Sequence, residues 1–249
     1  MKRTLLLLLL TAAGQLLLAQ TKSTEHVEQL WTGYFNQTRL SNKWGIWTDL
    51  QLRTKDNFFD NLSQIIIRPG ITYYATDNTK LTVGYAYILI YPTDGHTEVT
   101  QPENRIWQQV QWHTNYRKNR MMQWIRLEER FRRKIANDTT LGDGYNFNWR
   151  IRYNLWYEIP LVKNGSLPKS LSLVVNDEIH INFGSEIVNN YFDQNRFFLG
   201  FKYQVSPTTN IQAGYTNIFQ QLSAGNKYKS IDGIRVFFFQ NLDLRPKKK

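Results

Sequence analysis

Arginine, lysine and glutamate side chains recur at every second position in several segments between residues 103 and 202. Guanidinium groups bind carboxylates through paired hydrogen bonds, so a shared face of this composition predicts a network of ion pairs. The candidate set for this charged wall has eight arginine and lysine residues, four glutamates and one histidine: Glu103, Arg105, Arg126, Glu128, Arg130, Arg132, Arg150, Arg152, Glu158, Glu178, His180, Arg196 and Lys202.

Two interpretations of the charged wall remain open. In the first, the side chains form a structural network that fills the interior of a small barrel. In the second, the excess of cations lines a narrow pore that prefers small anionic solutes. No cofactor is expected for either, and no metal site is predicted because the four histidines are scattered along the chain.

A lipid hydrolase is the enzymatic alternative. Ser172, Asn176, Glu178 and His180 share one face of a predicted strand. Catalysis needs the imidazole within hydrogen-bond reach of the serine hydroxyl. Eight residues of extended chain, however, separate Ser172 from His180 by roughly 27 Å. We therefore predict no catalytic residues and a non-enzymatic protein, and a hydrolase would need a serine from another strand.

The elements that position these side chains are best seen in segment 145–158. Apolar and aromatic residues occupy its odd positions, and polar residues occupy its even positions except Trp156. Side chains of a β-strand point alternately to opposite faces, so this segment is predicted to be one long strand. At about 3.4 Å per residue it extends about 45 Å, which is enough to cross a bilayer when tilted.

The N-terminus predicts export from the cytoplasm. Two basic residues precede a leucine-dominated run at 4–18 that ends at Ala19, which is typical of a secretory signal peptide. Cleavage is expected after Ala19, so that 1–19 is the signal peptide and 20–249 a single barrel domain; a retained helical anchor is the alternative. The formal net charge is +11, but the cations are dispersed over alternating strands, and nucleic acid is not expected as a partner.

The spacing of alternating segments predicts ten strands from residue 44 onward and a less regular eleventh at 28–40. Because an even number returns both chain ends to one side, segment 28–40 is expected to lie in the periplasm or to pair with a twelfth strand. Connections alternate between short turns (76–79, 117–120, 206–209) and longer loops (92–102, 134–144, 184–193, 223–230). This alternation matches outer-membrane barrels except at 159–169.

The predicted fold is therefore all-β, a single closed antiparallel transmembrane β-barrel of about 10–12 strands. Closure is the sheet arrangement that pairs every backbone polar group in lipid. A soluble lipocalin-like barrel, with its apolar faces turned inward around a ligand, is the alternative fold.

Several short motifs occur in a fixed order along the chain: Leu30-Trp31, Arg68-Pro69-Gly70-Ile71, Gly84-Tyr85, Glu103-Asn104-Arg105-Ile106-Trp107-Gln108-Gln109, Arg126-Leu127-Glu128-Glu129-Arg130-Phe131, Arg150-Ile151-Arg152-Tyr153, Asn176-Asp177-Glu178 and Asp193-Gln194-Asn195-Arg196. In this order they resemble the domain of unknown function 2490 family, uncharacterised outer-membrane β-barrels of Gram-negative bacteria. The resemblance covers nearly the whole mature chain. It implies the fold and the location, and it supplies no catalytic residues.

Location in the cell outer membrane implies two partners, outer-membrane lipid and the barrel-assembly machinery. The final strand ends at 237–244 and is followed by a basic tail at 245–249, without a terminal aromatic residue. If the assembly machinery reads the last strand, its signal is internal in this chain.

Overall fold

The structure is a computed structural model, which describes residues 22–92, 98–162 and 170–246. The predicted signal peptide at 1–19 lies outside the described residues. Within them the chain forms eleven strands: β1 (Ser23–Arg39), β2 (Trp44–Lys55), β3 (Asn61–Tyr74), β4 (Thr79–Ile90), β5 (Gln101–Tyr116), β6 (Asn119–Asn137), β7 (Thr140–Val162), β8 (Leu171–Phe183), β9 (Phe192–Gln204), β10 (Thr209–Gln221) and β11 (Lys227–Asp243).

The eleven strands close into one barrel, in which each strand from β2 to β11 pairs with its sequence neighbours. This confirms the predicted all-β closed barrel of about 10–12 strands, but the number of strands is odd and not even as expected. The seam between β1 and β11 is parallel, with Ser23 opposite Lys227 and Arg39 opposite Asp243, whereas all other pairs are antiparallel. The expectation of a wholly antiparallel barrel was therefore wrong at this one seam.

The odd strand number explains the parallel seam. In an up-and-down series of eleven strands the first and the last run in the same direction, so they can pair only in parallel. Segment 28–40 was expected to be periplasmic or to need a twelfth strand. Instead it forms most of β1, which contacts both β2 and β11 and closes the sheet.

The alternation of side chains determines which face of the sheet is enclosed. On β7, Arg150, Arg152 and Asn154 are buried, whereas the alternate residues Ile151 and Tyr153 are exposed. The same arrangement holds on the neighbouring strands, so that apolar side chains cover the outside and polar side chains fill the inside. This orientation is the reverse of the lipocalin-like alternative.

The two ends of the barrel differ in their connections. At one end, called the short-turn end, the described connections are 40–43, 75–78, 117–118 and 205–208. At the other, called the loop end, they are 56–60, 138–139, 184–191 and 222–226, together with 91–92 and 98–100, the described parts of the connection between β4 and β5. The prediction of a long loop at 134–144 was wrong. Strands β6 and β7 continue through it to a turn at Asp138 and Thr139, with register shifts on either side of Ile135.

Part of the interior is apolar. Ile66, Ala86, Ile88 and Trp107 form a buried cluster on β3, β4 and β5, and a second cluster, which includes Trp31 and Phe237, joins β1, β10 and β11. No helix in the described part of the chain is long and apolar enough to cross a membrane.

The fully buried Trp107 depends on a glycine beside it. A Cβ added at Gly84 would lie 2.6 Å from the indole ring of Trp107 and would also meet the carbonyl oxygen of Pro69. We expect Gly84→Ala to reduce the free energy of unfolding by about 1–3 kcal/mol, the usual cost of overpacking a close contact. Denaturant unfolding of the folded chain, followed by tryptophan fluorescence, measures this change.

Gly142→Ala is the matched control, because a Cβ there would meet no heavy atom closer than 3.3 Å. It should leave the unfolding midpoint almost unchanged. Equal effects of the two substitutions would contradict the assigned packing of Trp107.

Candidate functional site

The charged wall divides into two regions along the barrel axis. Toward the loop end, most of its members form a dense ion-pair network. Toward the short-turn end, the remaining members border an open cavity. We use "ion-pair network" for Glu103, Arg105, Glu128, Arg130, Arg132, Arg150, Arg152, Glu178, His180 and Asp193, which are linked by contacts of 3.6 Å or less.

Glu103 is the carboxylate nearest the loop end, and it is fully buried. Arg130 donates from Nε to Oε1 at 2.8 Å and from Nη2 to Oε2 at 3.1 Å, which is the bidentate arrangement. Arg132 donates from Nε to Oε2 at 3.0 Å, and Arg105 also donates to Oε1. One carboxylate thus binds three guanidinium groups.

Glu128 occupies the centre of the network and is almost completely buried. Arg150 Nε donates to Oε2 at 2.9 Å and Arg152 Nη1 donates to Oε1 at 2.7 Å. Arg105 lies 3.6 Å from the same carboxylate, and Arg126 lies 3.9 Å from it. Glu128 therefore joins the guanidinium groups of three strands.

The third part of the network surrounds His180. Its Nε2 lies 2.8 Å from Glu178 Oε1 and its Nδ1 lies 3.8 Å from Asp193 Oδ2. Arg152 Nε donates to Glu178 at 2.6 Å, and Arg150 Nη1 donates to Asp193 at 2.7 Å. Asp193 completes the network, although the sequence analysis assigned it to a loop.

Strand register brings these side chains together. Consecutive strands place Glu103 opposite Arg132 and Glu128 opposite Arg150, and directly opposite side chains on one face are within contact distance. The register also places Arg105 opposite Arg130. This like-charge pair is stabilised because Glu103, two residues from Arg105, binds both guanidinium groups.

The other predicted residues lie outside the ion-pair network. Lys202 binds Glu158 at 2.9 Å, and the hydroxyl of Ser172 donates to the same carboxylate at 2.7 Å. Arg126 and Arg196 donate from Nε to the amides of Gln109 and Gln194, each at 2.9 Å. Lys202 and Glu158 thus form a separate pair, and neither belongs to the ion-pair network.

This geometry bears on the hydrolase alternative. The Ser172 hydroxyl binds a carboxylate, and the imidazole of His180 is held between Glu178 and Asp193. Among the described residues, no contact joins Ser172 to His180. These two side chains therefore do not form the nucleophile and base of a hydrolase.

The cavity has a volume of about 440 Å³; its lining reaches the short-turn end at Gln37 and Lys80 and extends into the loop-end half of β2 at Arg53. Several of its charged residues were absent from the predicted wall. Arg68 binds the fully buried Asp49 at 3.1 Å on β2 and β3, while Arg53 and Arg235 line the cavity from β2 and β11. The alternation in segment 44–53 already places Asp49 and Arg53 on one face and could have identified them.

Adjacent glutamates on β6 provide a test of the network. Glu128 points into the barrel and binds two arginines, whereas Glu129 points outward and accepts only a 3.3 Å hydrogen bond from Gln108. Glu128→Gln leaves buried guanidinium groups without their counter-charge and should destabilise the fold by about 3–5 kcal/mol. Denaturant unfolding measures the loss.

Glu129→Gln, one residue away, should change the free energy of unfolding by less than about 0.5 kcal/mol, as is usual for a residue outside such a network. If Glu128→Gln changed the free energy of unfolding as little as Glu129→Gln, the network would not stabilise the barrel.

Comparison with known proteins gives a family and no characterised relative. A similar protein is an uncharacterised protein of Methylorubrum extorquens, which is 25% identical over 167 residues, or 65% of each chain. This chain thus spans about two thirds of the length of that relative. No solved structure matches the chain. The family described as protein of unknown function (DUF2490) matches residues 28–229, and the chain belongs to this family.

Proposed function

We propose that this protein is an integral outer-membrane β-barrel with a structural or narrow-pore role and no enzymatic activity. The observation that carries the proposal is the apolar outer surface of a barrel whose interior is charged. Large apolar side chains such as Ile71, Val83 and Phe201 are more than half exposed. Soluble monomers rarely expose continuous apolar surface of this extent, because it drives association in water.

Strand length and closure support the same conclusion. The strands are 12 to 23 residues long, and about 9–11 residues of tilted strand suffice to cross a bilayer. In lipid every backbone donor and acceptor must be paired within the protein, and a closed barrel achieves this without a free edge. The leader sequence at 1–19 would deliver such a chain to the envelope.

The ion-pair network determines what the interior can conduct. Buried arginines and carboxylates occupy the loop-end half, so wide passage is not expected. Small solutes that do pass encounter more cations than carboxylates, and an anion preference follows from that charge. Outer-membrane lipid and the barrel-assembly machinery are the partners that this function requires.

A lipid-facing arginine scan separates a membrane barrel from a soluble one. Leu199 lies in the middle of β9 and points outward, while Val205 lies in the adjacent short turn; both are similarly exposed. In a bilayer, Leu199→Arg should destabilise the barrel by about 2–4 kcal/mol, whereas Val205→Arg should cost about 0–1 kcal/mol. Unfolding from lipid vesicles gives both values.

The same samples should resist carbonate extraction and migrate differently on a detergent gel before and after boiling. The membrane assignment would be contradicted if carbonate released the chain as a soluble protein and Leu199→Arg did not lower the free energy of unfolding.

The narrow-pore role is tested in a planar bilayer with a salt gradient across it. We expect a small conductance whose reversal potential shows a preference for anions, because cations outnumber carboxylates along the interior. A cation-preferring channel would contradict this charge argument. A silent channel would leave only the structural role.

A further inference from the structure

The cavity lies beside the ion-pair network and has a different charge balance. Residues near the short turns line it, including Gln37, Lys80 and Asn241, whereas Glu103 and Arg130 do not. Its volume of about 440 Å³ falls within the usual range for small-molecule sites. The network lies on the loop-end side of this cavity along β5 to β9.

Cations greatly outnumber carboxylates around the cavity. Nine arginine and lysine residues line it, against the three carboxylates Asp49, Glu158 and Glu178. Within the described residues, five of these cations have no carboxylate oxygen within 4 Å: Arg53, Lys80, Arg120, Arg196 and Arg235. These five cations therefore have no carboxylate in direct contact among the residues that the structure describes.

Some of the buried donors also lack hydrogen-bond partners. Arg53 is only 6% exposed and its Nε has no partner; Arg126 is 3% exposed and its Nη1 has none. Arg235 Nε, Gln37 Nε2 and Trp47 Nε1, which line the same cavity, are likewise unsatisfied among the described residues. A buried donor without a partner is costly, and an oxyanion in the cavity would remove that cost.

Aromatic rings hold the unpaired guanidinium groups in place. Arg53 lies 3.5 Å from the centre of the Trp31 ring, and Arg196 lies 5.1 Å from the same ring. Arg235 lies 3.3 Å from the ring centre of Phe198. Arg53 also donates to the side-chain oxygens of Gln64 and Gln51, and Arg196 donates to that of Gln194. Stacking on a ring leaves the other N–H groups of a guanidinium available for an acceptor in its plane.

An apolar wall faces the same space. Phe35 packs against Phe237 and Phe239, with ring centres 4.9 and 4.8 Å apart, and all three residues line the cavity. A ligand that uses both the cations and this wall must carry a negative group and an apolar body.

We propose that the cavity is a binding site for a small soluble organic oxyanion, a carboxylate or phosphate ester with an aromatic or similarly flat apolar part. The ligand enters from the short-turn end, since the lining residues reach that end and the ion-pair network occupies the other. This inference rests on the proposed barrel function, because the cavity forms only when the sheet closes in a membrane or micelle.

Calorimetric titration of the full chain, folded in micelles of a neutral detergent, tests the site with three probes. Phenyl phosphate should bind saturably at one molecule per chain. Inorganic phosphate, which lacks the apolar part, should bind at least about tenfold more weakly, and phenethylammonium, which has the ring and the opposite charge, should not bind. Equal binding of both phosphates, or binding of the ammonium compound, would overturn the ligand class.

Two substitutions assign the binding to the cavity. Arg53→Gln and Arg235→Gln should each weaken phenyl phosphate binding about tenfold or more, as expected for the loss of a charge-assisted hydrogen bond. Arg133→Gln is the matched control, because Arg133 lies near the loop end, 3.8 Å from Asp143, and does not line the cavity. Unchanged affinity in both cavity variants would overturn the proposal.

Two further results separate the possible failures. Wild-type chain that shows the heat-dependent gel shift but binds no phenyl phosphate would overturn the ligand and leave the barrel function intact; absence of the shift would overturn the barrel function itself. Displacement of phenyl phosphate by phosphatidylglycerol added to the micelles would assign the site to a lipid headgroup and overturn the soluble ligand.

Discussion

Burial of charge inside a closed sheet is the constraint on which this structure depends. Once eleven strands close, every second side chain is removed from water, and an isolated buried charge is very costly. The solution seen between β5 and β9 is to pair each buried carboxylate with at least one cation, and Glu103 and Glu128 each contact several guanidinium groups. The alternating sequence, the strand register and the order of glutamate and arginine along β6 all follow from that requirement.

The strict alternation of β7 made the fold class and the inward face predictable. Period-two patterning fixes which side chains share a face, and consecutive strands are neighbours, so the charged wall could be named without coordinates. The parallel seam through which the barrel closes could not be predicted in this way. The parallel pairing of β1 with β11 joins residues about 200 positions apart, and the inward side chains of β1 include Gln29, Trp31 and Phe35. A strand whose inward side chains mix apolar and polar residues gives no clear polar-inside signal.

Irregular strand pairing accounts for most of the remaining differences. A bulge shifts the alternation by one residue, so a face assigned by counting is lost beyond it. The register shifts around Ile135 interrupt the alternation, and for this reason a continuous hairpin was predicted to be a loop. A shift between His180 and Ile181 is the reason that Asp193 was not predicted to belong to the charged face. Asp193 is the second residue of β9 and binds Arg150. Arg53 was missed for another reason, because the charged wall was sought only on the middle strands.

The charges of the interior are paired in one region and not in the other. The fold explains the paired charges and does not explain the others. In the ion-pair network each carboxylate binds guanidinium groups, so the charges there can serve stability and register alone. Around the cavity, Arg53, Arg196 and Arg235 stack on aromatic rings. Among the described residues, none of these three has a carboxylate oxygen within 4 Å. A glutamine at these positions would form hydrogen bonds without the cost of a buried charge. The fold gives no reason for three such cations to converge, whereas binding of an anion does.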